Sequence, residues 1–173
     1  SFLLSPGVLP QVRDTPMGCW IAGLAMLYNY KYPLPGRTQW QLAQDGGPEF
    51  LDYYQTGLPS TNDPQTDKFS LLVTTYNLVS LPPQSYTLEG WMGYLQKFGP
   101  LAVIVDPTKP DDRLSHLVVM QGIEWQNDFS DARFYLVDTA NGNSGTLDAV
   151  EFGKLLETPD VVERTTMKGF AMP

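Results

Sequence analysis

The order of its patterns predicts an α+β fold for this 173-residue chain: helical segments come first and strand segments follow. Up to Phe98, apolar residues recur at helical spacing. Between Leu101 and Thr139, three runs rich in β-branched and aromatic residues take over. Hydrophobic residues make up 42% and aromatic residues 12%, the balance of a globular chain, and the length fits one domain over 1–173.

Residues 1–18 read as a loop, punctuated by Pro6, Gly7, Pro10, Pro16 and Gly18. A helix is expected from Cys19 through "CWIAGLAMLYNY", which is apolar on nearly every face and stopped by Pro33 and Pro35, so it is read as a buried central helix. Two short helices are expected around Trp40–Leu42 and Phe50–Tyr54, separated by a Gly-Gly-Pro break. Asp67 is the expected N-cap of "KFSLLVTTYNLV", in which Phe69, Leu72, Val73 and Tyr76 share a face. Thr87 is the expected cap of "LEGWMGYLQKF", ended by Gly99 and Pro100. The runs 101–105, 116–125 and 133–139 read as antiparallel strands, followed by a short helix over 147–156 and a closing strand over 161–170.

The charge excludes several functions. Eleven basic against nineteen acidic residues give a net charge of −8, and the basic residues are not clustered, so a nucleic-acid backbone or an anionic lipid surface would repel the chain. No apolar run approaches the roughly 20 residues of a membrane-spanning helix. The chain opens on Ser1 with no signal-peptide pattern, as expected of a mature fragment or an excised domain. One cysteine and one histidine permit no internal disulfide and leave a structural metal site nearly excluded, so no cofactor is expected.

Those two residues carry the chemistry. Cys19 stands where the buried helix starts, behind Gly18, which permits close approach, and before the large ring of Trp20. Unpaired amides and the macrodipole at a helix start favour an anion, which can draw a thiol from a pKa near 8.5 toward about 3.5–7.5. A lone cysteine is also a common small core residue. His116 begins a strongly apolar strand, where an imidazole without a partner is costly. Asp138 closes the next strand, in "FYLVDTANG", and is the candidate to orient the imidazole; read alone it is an ordinary turn residue, and Asn141 is the substitute. Gln11 is the candidate side-chain donor to an oxyanion, beside the backbone N–H of Cys19; read alone it is a surface glutamine. Trp91, Trp125, Phe134 and Tyr135 read as core. Tyr53 and Tyr54 are candidates to line a cleft, and the polar loop 106–115 is either solvated or a cleft border.

The blocks "LPQVRDTPMGCWIAGLAML", "GPLAVIV", "SHLVVMQGIEW" and "FYLVDTANG", taken in order, resemble those of bacterial papain-like cysteine peptidases. The nearest resemblance is to the secreted effector and toxin branch, similar to AvrRpt2-type peptidases and related to the bacteriocin-processing C39 peptidases. It implies a helical half carrying Cys19 and an antiparallel sheet carrying His116 and Asp138, with the active site between them. It also implies Gln11 in the oxyanion role, although eight positions before Cys19 is farther than the family habit. His116 and Asp138 follow Cys19 by 97 and 119 positions, shorter than in plant papains, which implies a reduced core.

The resemblance implies hydrolysis of peptide bonds in a protein or peptide substrate through a thioester, with cleavage after small residues such as Gly-Gly suggested by the C39 likeness. A secreted or delivered toxin would be met by an inhibitory or immunity protein. The same triad also serves amidases, deamidases and transglutaminases, and a papain-like scaffold can act as a binding module without catalysis.

Overall fold

The structure, a computed structural model, describes residues 1–59, 65–82, 86–105, 116–156 and 168–173. In chain order these form β1 (Phe2–Leu3), α1 (Cys19–Lys31), α2 (Gln39–Asp45), α3 (Pro48–Thr56), α4 (Phe69–Thr75), β2 (Val79–Ser80), α5 (Leu88–Phe98), β3 (Leu101–Val105), β4 (His116–Glu124), β5 (Arg133–Asp138), β6 (Ser144–Asp148), α6 (Ala149–Leu156) and β7 (Lys168–Ala171). The α+β class predicted from the sequence is observed, with α1–α5 preceding the long strands β3–β5.

The strands form one antiparallel sheet in the order β2-β7-β3-β4-β5-β6, and β1 adds to β4 beyond the reach of β3. Helices cover both faces. Ala102, Leu117, Val119 and Val137 face α1 and its neighbours, while Val103, Val118, Met120 and Phe134 face α5 and α6. Alternate residues of each strand thus enter different cores, which is why β3 and β4 read as continuous apolar runs.

The helix starting at Cys19 is buried from Trp20 through Leu27. Gly23 allows it to approach the sheet: a Cβ there would lie 2.2 Å from Leu117 Cδ2. Thr87 caps α5 as expected, its hydroxyl accepting from Gly90 N–H at 3.0 Å. Asp67 is not the cap of α4; Lys68 takes that position, and the Asp67 carboxylate turns to Lys168 Nζ, at 3.0 Å, as well as accepting from Phe69 N–H. That helix is shorter than its pattern, because Asn77 adopts a left-handed φ of 54° and the chain leaves as β2.

Three short strands were not expected. β1 lies in the segment read as loop, β2 at the end of a helical pattern, and β6 takes Leu147 and Asp148 from the expected helix, which starts at Ala149. The closing strand is seen as β7, and the earlier part of the expected span, 161–167, lies outside the described residues. Trp91 and Phe134 are core, whereas Trp125 and Tyr135 are half-buried, Tyr135 Oη donating to Glu124 at 3.0 Å. Tyr53 and Tyr54 do not line the cleft but are buried, with hydroxyls donating to Glu49 and Asp14.

Candidate active site

A cleft of about 1040 Å³ lies between the helical half and the sheet, lined by Cys19, His116 and Asp138 together with Arg13, Asn141 and Phe152 among others. Cys19 comes to it from the first residue of α1. Gly23, four positions later and therefore on the same helical face, rests on Leu117, so the turn bearing Cys19 is held next to the start of β4.

His116 and Asp138 share a face of the sheet. Val118 pairs with Asp138 in the ladder, and His116 precedes Val118 by two residues, which makes His116 and Asp138 diagonal neighbours. Their side chains meet with His116 Nε2 2.5 Å from Asp138 Oδ1. A carboxylate only accepts, so the hydrogen of this bond belongs to Nε2, and Nδ1 is left as the basic nitrogen of a neutral ring. Asp138 is itself held: Oδ1 also accepts from Ala140 N–H at 2.8 Å, and its backbone bonds Asn143 and Gly142. Behind it, the buried Thr139 donates from Oγ1 to Leu117 O at 2.8 Å, which binds the end of β5 to the start of β4.

The thiol is less acidic than the helix start alone implies. Burial is the largest influence and pushes the Cys19 thiol above its ordinary value; backbone hydrogen bonding at Leu117, Trp20 and Cys19 and the positive charge of Arg13 oppose it. A mostly desolvated sulfur favours its neutral form, and this outweighs the pull of the helix terminus. The first turn of α1 nonetheless offers donors: Gly18 has no side chain to cap it and no acidic residue sits in that turn, so the leading amides of Cys19 and Trp20 are left to the Cys19 sulfur itself. Gly18 itself is approached by Thr15, whose hydroxyl would stand 2.7 Å from a Cβ there.

Asn141 is exposed and lines the cleft, but the His116 partner is Asp138. Gln11 is not among the described residues lining the cleft; its Oε1 accepts from Gln39 Nε2 at 3.1 Å. The loop 106–115 lies outside the described residues. Two contributors carry no sequence pattern. Arg13 stands in the cleft, and the buried Gln39 fixes the segment before Cys19 by donating to Val12 O at 2.9 Å and accepting from Asp14 N–H at 3.0 Å. The signals available for them were Arg13 being the only basic residue before Lys31, and a glutamine next to the Thr38 cap.

A thiol at a helix start and a sheet-borne His–Asp pair lining one cleft is the arrangement of papain-like thiol peptidases. The chain belongs to the family of the papain-like cysteine protease AvrRpt2, whose family model matches residues 6–154. It is thus a hydrolase of the cysteine protease class. No individual curated protein matches the chain. Among the described residues no helix is long and apolar enough to cross a membrane.

Proposed function

We propose that this chain hydrolyses peptide bonds with Cys19 as nucleophile, His116 as acid and base, and Asp138 as the residue orienting the imidazole. The observation that carries the reading is the His116 Nε2 to Asp138 Oδ1 hydrogen bond in the cleft that Cys19 lines. Asp138 holds Nε2, and Nδ1 takes the thiol proton as Sγ attacks the carbonyl carbon. Charge on the carbonyl oxygen is met by the Cys19 backbone N–H, with Gln11 as the proposed side-chain donor if its NH₂ group turns into the cleft. Collapse breaks the C–N bond, and the amine leaves with the proton from His116. Water, losing a proton to the same imidazole, then cleaves the thioester and restores the thiol.

The whole chain is proposed as one peptidase domain, which is supported by a sheet that draws strands from both Phe2–Leu3 and Lys168–Ala171. Cleavage after small residues such as Gly-Gly, delivery as an effector or toxin, and a protecting immunity protein rest on the likeness to AvrRpt2-type and C39 peptidases. A proteome-derived peptide library incubated with wild type, Cys19→Ala and His116→Ala tests the activity. New N-termini from wild type alone are expected, whereas release of ammonia without new termini would assign a deamidase.

A further inference from the structure

Arg13 lines the cleft beside Cys19 and is half-buried, yet among the described residues its guanidinium has no ion-pair or hydrogen-bond partner. In a chain with nineteen acidic residues against eleven basic ones, a cation without a partner needs a reason. Two carboxylates beside it, one next in sequence and one in the same cleft lining, are engaged elsewhere. Asp14, its neighbour in sequence, accepts from Tyr54 Oη at 3.0 Å, and Asp138 is occupied by His116 and Ala140.

The backbone that presents Arg13 is fixed. Its N–H donates to Thr139 O at 2.9 Å, and Gln39 holds the residues on either side. The charge is felt at the Cys19 sulfur, which it makes more acidic. Around it the cleft is largely apolar, with Met17, Leu58, Ile104, Leu136 and Phe152 in the lining. A guanidinium in such a setting is only partly solvated, and its fork of donors matches a carboxylate.

We propose that Arg13 is a subsite for a substrate carboxylate, so that the enzyme prefers peptides with one Asp or Glu side chain close to the bond cut, flanked by apolar residues. This rests on the reading of the cleft as a peptidase site. One acid rather than a run follows from the net charge of −8, which repels a strongly acidic peptide before it reaches the cleft.

The test uses peptide pairs taken from cleaved library sequences that differ only by Glu against Gln near the scissile bond. With wild type, the Glu member is expected to have a kcat/KM about tenfold higher, mainly through KM. Arg13→Gln should bring the ratio near one, Arg13→Lys should keep part of it, and Arg13→Glu should invert it. An unchanged ratio overturns the proposal. So does an equal fall in kcat for both members at constant KM, which would make Arg13 a donor to the transition state. A second readout needs no hydrolysis: the rate of Cys19 alkylation by anionic iodoacetate relative to neutral iodoacetamide should fall about three- to tenfold in Arg13→Gln. A constant alkylation ratio removes the anion subsite. A falling alkylation ratio with no peptide cleaved by wild type would leave the subsite standing and reject the peptidase reading.

Discussion

At the scale of residues, the site depends on what each atom can donate or accept. Asp138 Oδ1 accepts from both His116 Nε2 and Ala140 N–H, and an amide oxygen can accept the same two bonds. Asp138→Asn should therefore keep kcat within about tenfold of wild type, while Asp138→Ala, which frees the ring to rotate, should lose about 100-fold or more, because the acid–base imidazole of His116 is no longer positioned. Steady-state kinetics on one cleaved peptide checks both, and an inactive but folded Asp138→Asn would show that the negative charge itself is required. The thiol gives a second prediction, one of pH. Burial raises the Cys19 pKa, so the neutral thiol dominates below the ordinary value near 8.5. Labelling of the free protein by iodoacetamide should rise only at alkaline pH, with a midpoint above that value. Arg13→Gln should move the midpoint higher still, because a cation that favours the thiolate is lost. Rapid labelling near pH 6 would mean that an ion pair with His116 overcomes the burial.

At the scale of elements, the contact between α1 and β4 fixes how the turn bearing Cys19 sits against the strand that begins at His116. Gly23→Ala places a Cβ into Leu117, a buried side chain with packed surroundings. Overpacking of this kind costs about 1–3 kcal/mol, and the helix must move away from the strand that carries His116. The expected result is a Tm lowered by several degrees together with a clear loss of kcat. Thr87→Ala, which removes the cap of α5 away from the cleft, should cost about 0.5–2 kcal/mol without a matching loss of kcat. Equal effects of the two substitutions on kcat would show that the α1–β4 contact has no special role. The same elements explain what could be read from the sequence. The helix at Cys19, the cap at Thr87 and the strands at 101–105, 116–124 and 133–138 carry strong apolar patterns, and they were legible. The two-residue strands β1 and β2 exist only through pairing with distant partners, and "SGTLD" of β6 has no apolar alternation, so no local signal announces them. That Cys19, His116 and Asp138 would come to one cleft was legible because cysteine and histidine occur once each and the acid ends a strand. Arg13 was not, since its placement depends on Thr139 and Gln39, which are remote in sequence.

At the scale of the whole molecule, one sheet serves two cores, and the cleft opens where the helical half meets its end. Cys19 belongs to one half and the His116–Asp138 pair to the other, so under the proposed mechanism activity reports the assembled fold and neither half alone. The account stands or falls on the acyl-enzyme. The deciding measurement is intact-protein mass spectrometry, under acid quench, of wild type, Cys19→Ala and His116→Ala mixed with a reactive p-nitrophenyl ester of a cleaved peptide. The account predicts an adduct of the acyl mass on wild type that maps to Cys19 and is discharged by hydroxylamine, little adduct on His116→Ala at neutral pH, and none on Cys19→Ala. An acyl adduct of equal yield on Cys19→Ala, or a wild type that turns the ester over with Cys19 blocked by iodoacetamide, would contradict it.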